Sequence, residues 1–205
     1  MALKIAMFSD FVCPFCYIGF EVIRKLKPEF SFDLEWRGFQ IHPEWPAEGI
    51  PAEKMIGNAE ARRAAWNRIA AMADAIELKM KPPERLTNSR SALLVAEYAK
   101  DAGKGEAFEQ KVYRAYFEQD VNIGDRDELI RLASEVGLDA PGTGGALDSQ
   151  KYELRLKNNA LAAHQRGVDG VPTFFIGEYP LVGAQSIETM RQILTRATER
   201  MEAAK

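Results

Sequence analysis

The sequence has little cysteine, no long apolar run and only a small net charge. Among 205 residues, 27 lysine and arginine residues stand against 30 acidic residues, so the net charge of -3 does not favour nucleic acid as a partner. No apolar stretch approaches the roughly 20 residues that a membrane-spanning helix needs. The first residues also lack the charged-then-apolar layout of a signal peptide. We therefore expect a cytoplasmic protein with neither nucleic-acid nor membrane partners.

The two cysteines, Cys13 and Cys16, lie in one tetrapeptide. A structural disulfide is not expected to persist in a reducing cytosol. Zinc would need about four ligands, and the other soft candidates, His42 and His164, are distant in sequence and from each other. We therefore predict no metal site. The simplest alternative is that both cysteines are inert small hydrophobes on an amphipathic helix.

Hydrophobic periodicity predicts a β-α-β unit in the first forty residues. A short buried strand over residues 4–9 runs directly into the cysteines, and helical spacing follows from Phe15 until Pro28 forbids continuation. Residues 32–37 then alternate between apolar and charged, as a half-buried strand does. A proline-rich stretch marks the end of this unit.

The remaining chain is predicted to be helical until a late hairpin, with no strand signal before it. The predicted segments are helices over 53–78, 88–98, 106–117 and 126–136, a glycine-rich connector over 139–145, a long helix to about 164, a hairpin over 171–183 with its turn at 177–180, and a helix from 186. The glycines at 142, 144 and 145 are interpreted as part of the connector, because the Lys-Ser/Thr of a phosphate-binding loop is missing.

The position of the cysteines suggests redox chemistry. At the start of a helix, the sulfur of Cys13 meets unpaired backbone N–H groups and the positive end of the helix dipole, which favour the thiolate. Cys16 lies within one helical turn, so the pair can close into a disulfide and reopen. Pro14 suits the first helical turn, and Phe15 offers an apolar patch beside the sulfur.

A second motif, Gly170 to Phe174, opens the late hairpin. On base rates, Pro172 after Val171 is an edge-strand start with an ordinary trans peptide bond.

Together these features resemble the DsbA family of thioredoxin-fold oxidoreductases, in particular its FrnE-like branch. The resemblance covers nearly the whole chain and includes residues 115–117, 123, 129, 133, 137–139 and 183–185. It implies that Cys13 attacks, that Cys16 resolves, and that Val171 and Pro172 form a cis-proline loop beside the dithiol. In the family, the backbone of the residue before the proline pairs with an extended substrate, so Pro14, Phe15, Val171 and Pro172 are the expected substrate-binding residues.

The chain departs from the family pattern at two places. No histidine separates the cysteines, which predicts a less extreme pKa for Cys13. Met7 stands where related proteins have a buried carboxylate, and Asp10 is left as a loop or capping residue without a catalytic role. The direction of the reaction stays open.

We therefore expect an α/β protein with a thioredoxin-like fold, formed by residues 1–40 and 146–205, and an inserted all-helical domain, residues 41–145. The expected function is thiol-disulfide exchange on a peptide or small-molecule substrate, without a tightly bound cofactor and with glutathione as a candidate redox partner. The expected assembly is a monomer or a homodimer. The main alternative is a glutathione-dependent isomerase or transferase resembling 2-hydroxychromene-2-carboxylate isomerase. A non-catalytic binding or chaperone module is the third.

Overall fold

The computed structural model describes residues 2–54 and 58–203. Within these residues the chain forms six strands, eight α-helices and one short 3-10 helix. In chain order they are β1 (Leu3–Ser9), α1 (Pro14–Lys25), β2 (Phe32–Gly38), β3 (Ile50–Pro51), a 3-10 helix (Ala52–Lys54), α2 (Ala59–Asp74), β4 (Arg85–Leu86), α3 (Arg90–Asp101), α4 (Gly105–Gln119), α5 (Arg126–Glu135), α6 (Ala140–Leu147), α7 (Gln150–Gln165), β5 (Thr173–Ile176), β6 (Tyr179–Val182) and α8 (Ile187–Ala203).

The main sheet has the strand order β2-β1-β5-β6. Strand β1 pairs in parallel with β2 and antiparallel with β5, and β5 and β6 form an antiparallel hairpin. The predicted β-α-β unit is therefore present. Its first strand is central in the sheet, and Ile5, Met7 and Phe8 are buried because both faces of the strand are covered.

Helix α1 packs closely against the inner hairpin strand. Gly19 makes this approach feasible: a Cβ atom there would lie 3.1 Å from the ring of Phe174 and 3.4 Å from the ring of Pro172. A larger residue would push the helix away from the strand. The start of α1 is thereby held beside the segment that precedes β5.

The region between β2 and α7 is mostly helical, with one small departure from the prediction. Strands β3 and β4 form a two-stranded antiparallel sheet, two residues long on each side, although the sequence carries no strand signal there. Backbone pairing that short needs no alternating pattern, so periodicity does not reveal it. The helix predicted over 53–78 is shorter, because the Asn58 side chain caps α2 by accepting from the N–H of Ala61. Residues 55–57 of that prediction lie outside the described residues.

The predicted connector over residues 139–145 is wrong, because α6 occupies most of it. Asp139 caps the helix by accepting from the N–H of Gly142, and Pro141 lies in the first turn. The Tyr98 hydroxyl donates to the other carboxylate oxygen of Asp139, and Thr143 is fully buried. Capping and packing thus outweigh the low helix propensity of glycine.

The late hairpin is tighter than predicted. Its turn is confined to Gly177 and Glu178, and Pro180 lies inside β6 opposite Phe175 rather than in the turn. Proline is tolerated there because β6 is the outer strand of the sheet.

Side chains from both ends and from the middle of the chain share the main hydrophobic core. Phe20 of α1, Tyr113 of α4 and Phe174 of β5 all belong to one buried cluster. Trp66, Met72 and Met80, from the region between β2 and α3, are half-buried against the same cluster. The domain boundaries at 40/41 and 145/146 stay a prediction. None of the described helices is long and apolar enough to cross a membrane.

Candidate active site

The chain leaves β1 through a short turn that delivers Cys13 to the start of α1. The Cys13 N–H donates to the carbonyl of Asp10 at 3.2 Å, which closes the turn. The Cys13 carbonyl accepts from the N–H groups of Cys16 and Tyr17 at 3.0 and 3.3 Å, which begins the helix. Cys13 therefore occupies the N-cap position, with an extended backbone and Pro14 directly after it.

The two thiols interact with each other, and their different environments give them different pKa values. A hydrogen bond from the Cys16 thiol is the main cause that lowers the pKa of Cys13, and the backbone N–H groups of Cys16 and Phe15 add to the effect. Burial and the charge of Asp10 oppose it. For Cys16, burial is the main cause that raises the pKa well above its ordinary value. Cys13 is thus the thiol that ionises first.

The loop before β5 lies beside Cys13, although 158 residues separate them in sequence. The Cys13 thiol donates to the carbonyl oxygen of Val171 at 3.6 Å, and the Val171–Pro172 peptide bond is cis. Two hydrogen bonds hold the loop: Gly183 N–H donates to the Pro172 carbonyl at 2.8 Å, and the Thr173 hydroxyl donates to the Gly170 carbonyl at 2.7 Å.

The side chains around Cys13 are apolar. Cys13 itself is only 6% exposed, and Cys16 and Pro172 are buried. Pro14 and Val171 are half-buried, while Phe15 is 38% exposed. A substrate that reaches the Cys13 sulfur would therefore meet Phe15 and its two half-buried neighbours first.

Asp10 is a feature of the site that the sequence reasoning left unassigned. Its side chain is fully buried between the cysteine turn and the loop after β2. One carboxylate oxygen accepts from Ile41 N–H at 2.7 Å and the other from Val12 N–H at 3.5 Å. Burial is the main cause that raises the pKa of Asp10. The only signal in the sequence is its place three residues before Cys13, which a capping residue would share.

The other residues considered in the sequence analysis lie away from the two cysteines or make other contacts. The His42 ring pairs with the Glu44 carboxylate at 2.8 Å and stacks on Trp45, with ring centroids 3.8 Å apart. His164 is exposed in the last turn of α7, and Met7 is fully buried in the core. Among residues 2–54 and 58–203, no group of three or more His, Cys, Asp or Glu side chains is placed to hold a metal ion.

A cysteine pair at the start of a helix, beside a loop that leads into an antiparallel strand, defines a thioredoxin-like oxidoreductase fold. Residues 4–195 match the family described as DSBA-like thioredoxin domain. The chain therefore belongs to the DsbA-like family of thiol-disulfide oxidoreductases, and the predicted family and fold class are confirmed.

Known proteins of two kinds are similar to the chain. The crystal structure of a "probable DsbA oxidoreductase" from Streptomyces coelicolor superposes with a TM-score of 0.88 at 27% identity, covering 96% of this chain and 90% of that one. A 2-hydroxychromene-2-carboxylate isomerase from Sphingobium xenophagum is 26% identical over 95% of this chain and 99% of its own length.

The fold is also that of the cytosolic disulfide reductase DsbM from Pseudomonas aeruginosa. Its structure has a TM-score of 0.67 at 15% identity and covers 98% of both chains. A second structure of DsbM was solved with GSH.

Proposed function

We propose that the protein exchanges thiols and disulfides through Cys13 and Cys16. The observation that carries the proposal is the Cys13 sulfur at the start of α1, hydrogen-bonded by the Cys16 thiol and facing the Val171 carbonyl at 3.6 Å. The lowered pKa increases the fraction of Cys13 present as the nucleophilic thiolate, and the neighbouring thiol gives it an intramolecular resolving partner.

The reaction proceeds in two exchanges. The Cys13 thiolate attacks one sulfur of a substrate disulfide, forming a mixed disulfide and releasing the first substrate thiol. Cys16 then attacks the Cys13 sulfur, closing the Cys13–Cys16 disulfide and releasing the second thiol. The substrate gains two electrons and two protons, and the protein dithiol loses them. Run in reverse, the same steps oxidise a substrate dithiol.

A low-molecular-weight thiol is the proposed reductant that reopens the Cys13–Cys16 disulfide, and glutathione is the candidate. Two glutathione molecules would give up one electron each and leave as glutathione disulfide. The GSH-bound structure of DsbM, a protein of the same fold, supports this choice. The FrnE-like branch and a cytosolic location stay predictions drawn from the sequence.

Single cysteine variants test the roles of the two thiols. We expect Cys13→Ser to lose insulin reduction and to form no mixed disulfide when it is mixed with glutathione disulfide, because the nucleophile is gone. Cys16→Ser should form the mixed disulfide and retain it, because no thiol resolves it. Mass spectrometry of acid-quenched samples distinguishes these species, and circular dichroism checks that both variants are folded. A Cys13→Ser variant that reduces insulin at the wild-type rate would refute the proposal.

The second candidate function is glutathione-dependent isomerisation, favoured by the 26% identity to the isomerase over nearly the full length of both proteins. Such a reaction needs no second thiol. Turnover of 2-hydroxychromene-2-carboxylate with glutathione that persists in Cys16→Ser would support isomerisation. Absence of that turnover in wild type, together with insulin reduction, would leave thiol-disulfide exchange as the function.

A further inference from the structure

Two hydroxyl groups are buried behind the resolving cysteine. Ser9, the last residue of β1, and Tyr113, in the middle of α4, have their hydroxyl oxygens 2.6 Å apart, and both side chains are fully buried. The Ser9 hydroxyl also acts on the neighbouring Cys16 thiol, where a hydrogen bond from Ser9 lowers the pKa against the effect of burial. Tyr113 belongs to the predicted insertion, so the insertion contributes a polar group to the environment of the dithiol.

The surroundings of this pair are aromatic. The rings of Phe11, Tyr17 and Phe20 lie with centroids 5.0, 5.1 and 5.4 Å from that of Tyr113. A buried hydroxyl without a partner is costly, so the Ser9–Tyr113 bond is strongly favoured in this setting. The Tyr113 hydroxyl also lies 3.4 Å from a second acceptor, the Asp10 carbonyl oxygen.

Burial keeps the Tyr113 hydroxyl protonated, so the Ser9–Tyr113 pair can donate a hydrogen bond to the Cys16 sulfur. It raises the pKa of Tyr113 well above its ordinary value, and the Cys16 charge adds to this, so the phenol keeps its proton. When Tyr113 donates to the Ser9 oxygen, the Ser9 hydrogen is free to point at Cys16. A chain of hydrogen bonds of this kind strengthens its final member.

The resolving step creates a charge at this position. Burial disfavours the Cys16 thiolate, whereas the hydrogen bond from Ser9 favours it. Other titratable groups lie nearby. Cys13 is uncharged in a mixed disulfide, the charge of Asp10 acts on Cys13, and the Tyr17 hydroxyl donates away to Glu118 at 2.7 Å.

We propose that Ser9 and Tyr113 form a hydrogen-bond relay that stabilises the Cys16 thiolate while it attacks the mixed disulfide on Cys13. Tyr113 is a positioning residue that acts through Ser9. In this step the Cys16–Cys13 bond forms, the bond between Cys13 and the substrate sulfur breaks, and the departing thiolate takes up the proton that Cys16 lost. The inference rests on the proposed function and adds two residues to it.

The test separates the two exchanges in a single turnover. Reduced protein is mixed with a chromogenic aryl disulfide, whose first thiol is released by Cys13 and whose second is released by Cys16. We expect Tyr113→Phe to leave the first phase unchanged and to slow the second by about threefold or more, with its pH midpoint moved upward. Ser9→Ala should slow the second phase by about tenfold or more, because it removes a hydrogen bond to a charged group.

The matched control is Tyr116→Phe. Tyr116 lies in the same helix, is 2% exposed, and its hydroxyl donates to the Arg85 carbonyl at 3.2 Å instead of to Ser9. Removing the Tyr116 hydroxyl should leave both phases unchanged. In the double variant Ser9→Ala/Tyr113→Phe, the second phase should be no slower than in Ser9→Ala, because Tyr113 acts only through Ser9.

The outcomes separate this inference from the proposed function. A second phase in Tyr113→Phe that matches wild type, or two phases slowed equally, would overturn the relay and leave the dithiol mechanism standing. Absence of both phases in the wild-type protein would overturn the dithiol mechanism and the relay together.

Discussion

The charge of Asp10 and the thiol of Cys16 act on Cys13 in opposite directions. The Cys16 hydrogen bond is the largest contribution that lowers the pKa of Cys13, and ionised Asp10 raises it. Asp10 is held in place by the backbone of Val12 and Ile41, and an amide oxygen can accept the shorter of these two bonds. The two influences can therefore be removed separately.

We predict opposite shifts for the matched variants Asp10→Asn and Cys16→Ala. Removing the carboxylate charge should lower the pKa of Cys13, because a neighbouring negative charge disfavours the thiolate. Removing the donor thiol should raise it, because the thiolate loses its main hydrogen bond. The pH dependence of iodoacetamide alkylation at Cys13, followed by mass spectrometry, measures both. Shifts of the same sign in the two variants would contradict this account.

At the scale of the element, α6 shows how a glycine-rich segment becomes a helix. Its first turn is held by Asp139, and Gly142 lies where any side chain would collide. A Cβ atom on Gly142 would be 2.2 Å from the Tyr98 hydroxyl and 2.6 Å from the Asp139 carboxylate. Around Gly145, in the same helix, nothing lies within 4 Å of that position.

These two glycines give a paired prediction for stability. Gly145→Ala should stabilise the protein by about 0.5–1 kcal/mol, because alanine favours the helix and the site is open. Gly142→Ala should destabilise it by about 1–3 kcal/mol, because the collision breaks the cap contact. Urea unfolding followed by circular dichroism measures both free energies. Equal effects on the free energy of unfolding at the two positions would contradict the claim that close packing requires glycine at position 142.

At the scale of the whole molecule, one buried acid links stability to pH. Glu109 of α4 is 3% exposed, and burial is the main cause that raises its pKa to about 8. The positive charges of Lys100 and Lys27 lower the pKa of Glu109, whereas the negative charges of Glu106 and Glu97 raise it. Below the ordinary pKa of 4.5 the residue is neutral in both the folded and the unfolded chain. As pH rises toward 8, the unfolded chain loses this proton first, so folding is progressively disfavoured.

Glu109→Gln should remove this pH dependence. The stability of the wild-type protein should fall relative to that of the variant between pH 5 and pH 8, by at most about 1.4 kcal/mol per pH unit. Glu199→Gln, on the exposed surface of α8, serves as the control that changes charge without burial. Free energies of unfolding in urea at the two pH values measure the effect. A constant difference between wild type and Glu109→Gln would contradict it.

The sequence predicts the framework better than the surroundings of the dithiol. Cys13 and Cys16 between a buried strand and a helix are visible as local pattern, and so is the late hairpin. The contact between Ser9 and Tyr113 joins residues 104 positions apart, and periodicity marks neither residue as polar and buried. The helix α6 was missed because its glycines disfavour a helix locally, while the contact of Asp139 with Tyr98 is made across 41 positions.

Pro180 in the outer strand has a consequence for self-association. Gly183 N–H donates to the Pro172 carbonyl, and in an antiparallel ladder this places the nitrogen of Pro180 on the side away from β5. An exposed strand edge normally offers a row of donors on which other chains can aggregate. Here that row is interrupted, which protects the folded protein against edge-to-edge aggregation.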